Sequence, residues 1–220
     1  SLVAPHVYDL SSYLVPGKQR ISIRIDNSIK KINVGPDSHS VTDHTQGNWN
    51  GIIGKIDLES GSPVYINDVQ IFPDLKNHKA RVKITVNNST QNNFNGTIAI
   101  AAKSFNSNST DQTKAITSKI AVPKLGENTI ELELPFGNGM LTWDEFDPAL
   151  YNLEVKLVSK DIKNTKIVQF GMREFKIEGN RFLINGNPVF LRGTVHNCEF
   201  PLTGYPATTV EAWEKTFKII

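Results

Sequence analysis

The 220-residue chain is expected to be an all-β protein that closes on one helix. Three observations predict this. Seven segments between residues 65 and 170 alternate apolar with polar side chains, Asn, Ser and Gly turns separate them, and no helical period of useful length occurs before residue 208. Alternation with period two marks a half-buried strand. Short strands punctuated by turns over about 110 residues suit two sheets packed as an immunoglobulin-like sandwich.

At the N-terminal end, Pro16-Gly17-Lys18 signals a turn before Arg20–Asp26, where Ile21, Ile23 and Ile25 share one face of an expected antiparallel strand. Residues 34–50 form a polar loop rich in His, Asn, Ser, Asp and Gly, longer than connections in compact domains usually run and of the kind that carries function. Gly51–Glu59 is the next expected strand. Gly61-Ser62-Pro63 then opens the module of seven strands: Tyr65–Ile71, Ala80–Val86, Gly96–Ala102, Ala115–Val122, Asn128–Leu134, Tyr151–Val158 and Lys166–Phe170. The Cys…Trp…Cys pattern of antibody domains is absent, so the likeness is one of architecture.

From Phe170 to His196 the sequence reads as an outgoing strand, a tight hairpin about Asn185-Gly186, and a buried apolar strand with a polar end. A helix is expected over Thr208–Ile220. Thr208 and Glu211 fit a capping box, and Val210, Trp213 and Phe217 lie on one face. Strand, hairpin, strand and helix is the order in which a βα-barrel begins, and only its first unit is expected here, with the helix stopping before a C-cap.

Composition excludes several classes. A net charge of +2 from 24 basic and 22 acidic residues is too balanced for a nucleic-acid surface. No apolar run approaches the roughly 18–20 residues of a membrane span. The one cysteine, Cys198, allows no intrachain disulfide. It sits near His196, but positions two apart on a strand end do not build a nucleophile–base pair, and a small packed side chain is the simpler reading. The first residues, Ser-Leu-Val-Ala-Pro-His6, lack the features of a signal peptide, so any such segment is expected upstream. The densest acidic cluster, Asp144, Glu145 and Asp147, reads as solvated turn residues beside Trp143 and Pro148. His39 and His44 lack a convincingly spaced third ligand, so neither a metal nor a cofactor is expected. The sequons Asn88-Ser-Thr90, Asn95-Gly-Thr97 and Asn108-Ser-Thr110 are short enough to arise by chance.

Four ordered tracts resemble glycoside hydrolase family 2. Thr142–Val155, with Trp143-Asp-Glu-Phe-Asp-Pro-Ala-Leu-Tyr151 at its heart, resembles the family's W-S-P-E-x-P-x-L-Y-x-L segment. Phe170-Gly-Met-Arg-Glu-Phe175 resembles its F-G-x-R segment, and Leu183–Gly193 its NGxP lead into the barrel. Gly47–Leu58 is similar to the closing strand of its jelly-roll sugar-binding domain. The resemblance implies part of a jelly roll at 1–60, an immunoglobulin-like β-sandwich at 61–174, and the first βα unit of a truncated TIM barrel at 175–220. Residues 1–60 supply too few strands for a whole jelly roll, so a piece of a larger enzyme is expected.

Members of that family are mostly retaining β-galactosidases, β-glucuronidases and β-mannosidases, whose two catalytic glutamates sit on later barrel strands. Retaining hydrolysis needs two carboxylates about 5–5.5 Å apart, and no pair in this chain has that context. The resemblance therefore implies a β-galactosidase-like exo-glycosidase portion without catalytic residues, inactive alone, taking part in carbohydrate degradation. Its partners would be a β-linked glycoside and the remainder of its own polypeptide, with homo-oligomerisation left open. The implied compartment is periplasmic or secreted, with the cytoplasm as the alternative.

His196, Asn197 and Glu199 come after the first expected barrel strand, and residues at such strand ends line active sites. The family carries R-G-x-N-x-H-E here, whereas Arg192-Gly-Thr-Val-His196 brings the histidine one place closer to the glycine. His196 is thus either a sugar contact or a loop histidine bonded to backbone. Asp43, Gln46 and Asn48, with His44 and Asn50, are the other substrate-binding candidates, since sugar hydroxyls both donate and accept. Trp49 would stack on a pyranose ring or fill a core. The competing reading is a free-standing carbohydrate-binding or adhesion module without hydrolase activity.

Overall fold

The computed structural model describes residues 6–26, 51–52, 55–193, 202–204 and 207–219. The chain forms two compact units, Ser1–Asp57 with Thr194–Ile220, and Leu58–Gly193. All ten strands among the described residues belong to the second.

Seven of them build the sandwich: β1 (Val64–Asp74), β2 (Lys79–Asn88), β3 (Phe94–Phe105), β4 (Ile116–Val122), β5 (Gly126–Pro135), β6 (Leu150–Val158) and β7 (Lys163–Phe170). One sheet runs β1-β2-β5 and the other β4-β3-β6-β7, antiparallel throughout. Each of the seven expected strands is present. Alternation decides which side chains face inward: Ala80, Val82, Ile84 and Val86 of β2 and Tyr151, Leu153, Val155 and Leu157 of β6 are each 0% exposed. Burying one such aliphatic side chain stabilises the fold by about 1.5–3 kcal/mol.

In β1 the register shifts between Ile66 and Asp68, and the core face passes from Val64 and Ile66 to Val69 and Ile71. An extra residue flips every later side chain, which is what a bulge does. The second sheet satisfies the freed backbone: Ile66 N–H donates to Asn164 Oδ1 at 3.0 Å and Lys166 Nζ donates to Asn67 O at 2.6 Å. At the other end Tyr151 forms a tyrosine corner. Its hydroxyl accepts from Leu141 N–H at 2.8 Å and donates to Asp111 Oδ2 at 2.7 Å. Its ring packs against Phe136 and Phe170, with centroids 5.0 and 5.6 Å away.

Three further strands, β8 (Phe175–Glu178), β9 (Arg181–Ile184) and β10 (Asn187–Val189), form an antiparallel meander of order β10-β9-β8. The expected hairpin is present: Asn185 and Gly186 have φ of 52° and 80°, the pair of positive values a type I′ turn requires. The strand after it differs from expectation. It ends at Val189, and Phe190 and Leu191 are 83% and 54% exposed rather than buried. The meander is antiparallel, so no βα-barrel unit is formed among the described residues.

The strands expected at Arg20–Asp26 and Gly51–Glu59 are absent from the described residues of those stretches. A strand exists only through the ladder it shares with a neighbour, and no ladder to these stretches is formed among the described residues; Ile21, Ile23 and Ile25 stay 57%, 58% and 53% exposed. The helix α1 is Val210–Phe217, shorter than expected, with Lys218 as C-cap. Thr209 rather than Thr208 is the N-cap and its side chain makes no capping bond, so the predicted capping box is not formed. The apolar face is as expected: Trp213 and Phe217 stack with centroids 6.1 Å apart, and Trp213 Nε1 donates to Ala207 O at 2.8 Å.

Candidate functional site

The six predicted substrate-binding residues, Asp43, Gln46, Asn48, His196, Asn197 and Glu199, lie outside the described residues, as do Cys198 and Trp49. What the structure does bring together is three of the four tracts singled out in the sequence. They meet where the sandwich joins the meander.

The tract before β6 turns back on itself. Trp143 bridges to Pro148, and Asp144 N–H donates to Asp147 O at 3.1 Å. Asp144 Oδ1 accepts the N–H groups of Phe146 and Asp147, both at 2.8 Å. These bonds, that of Asp147 first, hold the Asp144 carboxyl below the usual carboxylate range. Glu145 pairs with Arg192 at 2.7 Å, and Asp147 Oδ2 accepts from Ser107 Oγ at 3.4 Å. The three carboxylates thus serve turns and an ion pair, in line with the reading of this cluster as turn residues.

The tract after β7 grips the first. Phe170 joins the aromatic cluster around Tyr151, Met172 O accepts from Trp143 N–H at 3.0 Å, and the Arg173 guanidinium lies 4.7 Å over the Trp143 ring. Between them Gly171 is the position of closest approach, because a Cβ there would come within 3.0 Å of Trp143 Cβ. The third tract completes the junction through its turn. Asn185 Nδ2 donates to Trp143 O, Asn185 Oδ1 accepts from Glu174 N–H, and Asn185 N–H donates to Glu174 O, each at 2.9 Å.

Burial pushes the Tyr151 hydroxyl well above the ordinary tyrosine range; the Leu141 N–H opposes this and the Asp111 carboxylate adds to it. Tyr151 and Asn185 were not singled out for these roles in the sequence. For Tyr151 a usable signal existed, a tyrosine opening the sixth strand of a sandwich. Asn88 is a further case. Although it begins a sequon, it is 0% exposed, and its amide nitrogen donates to the carbonyls of Asn92, Val122 and Pro123. That nitrogen is committed to closing the β2–β3 loop.

Among the described residues no three His, Cys, Asp or Glu side chains cluster to hold a metal, and no helix is long and apolar enough to cross a membrane. Along the meander an open groove of about 500 Å³ is lined by Arg181, Phe182, Pro188 and Phe190 among others.

The model of "Glycosyl hydrolases family 2" matches residues 64–173, from β1 through the Arg173 that covers Trp143. A β-galactosidase of Oenococcus oeni is 27% identical over 200 residues, 86% of this chain and 18% of its own length. A β-galactosidase of Thermoanaerobacter pseudethanolicus is 28% identical over 206 residues, 91% of this chain and 26% of its own. The chain therefore spans about a fifth to a quarter of the curated relatives it matches. A crystal structure of a family 2 β-galacturonidase from Eisenbergiella tayi bound to galacturonate shares the fold, with a TM-score of 0.62 and 18% identity over 86% of this chain and 32% of that one. With half its length matched by the family model, the chain belongs to glycoside hydrolase family 2.

Proposed function

We propose that this chain is the non-catalytic portion of a retaining exo-β-glycosidase, β-galactosidase-like, that degrades β-linked glycosides. The observation that carries the reading is the family match over residues 64–173, joined to two β-galactosidase relatives several times longer than the segment they share. Under this reading residues 1–60 contribute to a sugar-binding jelly roll, 61–174 are the spacer sandwich, and 175–220 lead into a catalytic barrel.

The spacer role has a physical basis. A sandwich with a continuous apolar core is stiff, and Tyr151, Gly171 and Asn185 fix the meander at its end. His196, Asn197, Glu199, Asp43, Gln46 and Asn48 would then contact sugar hydroxyls. Hydrolysis itself would need two carboxylates flanking the glycosidic bond, supplied by the rest of the polypeptide. The compartment under this reading is periplasmic or secreted, which cell fractionation checks.

Translating the coding DNA beyond Ile220 tests the assignment. An open frame continuing for several hundred residues with further barrel strands is expected. A stop codon close after Ile220 would overturn it in favour of a free-standing carbohydrate-binding module.

A further inference from the structure

The turn between β9 and β10 asks of residue 185 only that it accept a positive φ, which glycine does as readily as asparagine. Asn185 does more. Its side chain reaches Glu174 at the start of the meander and Trp143 in the sandwich, 42 residues away. The Trp143 end of that bond is itself pinned by Met172, Pro148 and the Arg173 guanidinium. Among the described residues little else holds the meander: Leu183 is its one buried side chain, and Phe175, Ile177 and Phe182 are 48%, 70% and 38% exposed. A second tether, Arg192 to Glu145 at 2.7 Å, returns to the same loop just past β10, but it is exposed and open to salt screening.

From this geometry we propose that Asn185 is a latch that locks the meander to the Trp143–Pro148 loop. By fixing where and in what direction the chain leaves Gly193, it acts as a positioning residue for the sugar contacts beyond. The second half rests on the glycosidase reading above. The latch itself rests on geometry alone.

Two variants separate the turn from the latch. Asn185→Gly keeps the positive φ and removes both side-chain bonds. Asn185→Asp keeps the acceptor for Glu174 N–H and loses the donor to Trp143 O. In this 220-residue chain, amide exchange monitored by NMR is expected to quicken about tenfold at Glu174 in Asn185→Gly and to stay near wild type there in Asn185→Asp, while the loop amides of Trp143 and Asp144 quicken in both variants and amides of β6 are unmoved in both. Wild-type exchange at Trp143 and Asp144 in both variants overturns the latch.

In the longer polypeptide, Asn185→Gly is expected to raise KM for a chromogenic β-galactoside about tenfold with kcat within about twofold, and Asn185→Asp to raise it less. An unchanged KM alongside faster Glu174 exchange overturns the positioning role. Absence of turnover in the wild-type longer polypeptide would instead overturn the glycosidase reading, and the exchange experiment would still decide the latch.

Discussion

The sandwich and the meander are held together by different physics. Strand β6 has a neighbour on each side and a facing sheet, and Tyr151, Leu153, Val155 and Leu157 are all fully buried. Among the described residues, strands β8 to β10 have ladders but no covering layer, and their aromatic side chains Phe175 and Phe182 stack on each other, 5.5 Å apart, in the open. The sandwich is thus stabilised by its own core, whereas the meander takes its position from a few polar bonds to one loop. Mutations should therefore be costly in the first region and nearly silent in the second, except at the junction.

The largest effect is expected deep in the sandwich. Leu153→Ala opens a cavity between the sheets and should lower the unfolding free energy by about 3 kcal/mol in urea titration. A cost below about 1 kcal/mol would mean the core is not shared as described. Next comes the corner. Tyr151→Phe leaves the Asp111 carboxylate and the Leu141 N–H without their partner, an expected loss of about 2 kcal/mol.

It also changes the response to pH. A tyrosine whose pKa is raised on folding releases its proton first in the unfolded chain. Its stabilisation is therefore complete below the unfolded value of about 10 and declines as pH rises above it. Thermal unfolding between neutral and alkaline pH should show that decline in the wild type and a shallower one in Tyr151→Phe. Parallel slopes would mean that the Tyr151 hydroxyl is not what couples stability to pH. The smallest effect is expected on the open face of the meander, where Ile177→Ala should stay within about 0.5 kcal/mol in the same titration. A loss comparable to that of Leu153→Ala would erase the contrast between the two regions.

Much of the fold is legible in the sequence, for a physical reason that also marks where legibility stops. Alternation states which face a strand would bury, and the seven segments from Tyr65 to Phe170 find one another to bury it. Ile21, Ile23 and Ile25 carry the same pattern, yet pattern alone cannot supply a partner, and these three remain exposed. The Asn185-Gly186 turn is legible because two positive φ values demand those residues. The reach of Asn185 to Trp143 is not, since it spans 42 residues and depends on how two tracts pack. Phe190 and Leu191 mislead because apolar composition reads as burial, while the layer that would cover them is not among the described residues. The candidate sugar contacts at residues 43–48 and 196–199 rest on sequence and resemblance alone, since they fall outside the described residues.

The proposed function has this chain serving a β-glycosidase without carrying its chemistry. Its most direct test is the release of nitrophenol from β-galactoside, β-glucuronide and β-mannoside substrates by the purified 220-residue chain beside the polypeptide that extends past Ile220. Turnover of one of these substrates by the longer polypeptide is expected, and none by the chain alone. Hydrolysis by the 220-residue chain itself would contradict the proposal.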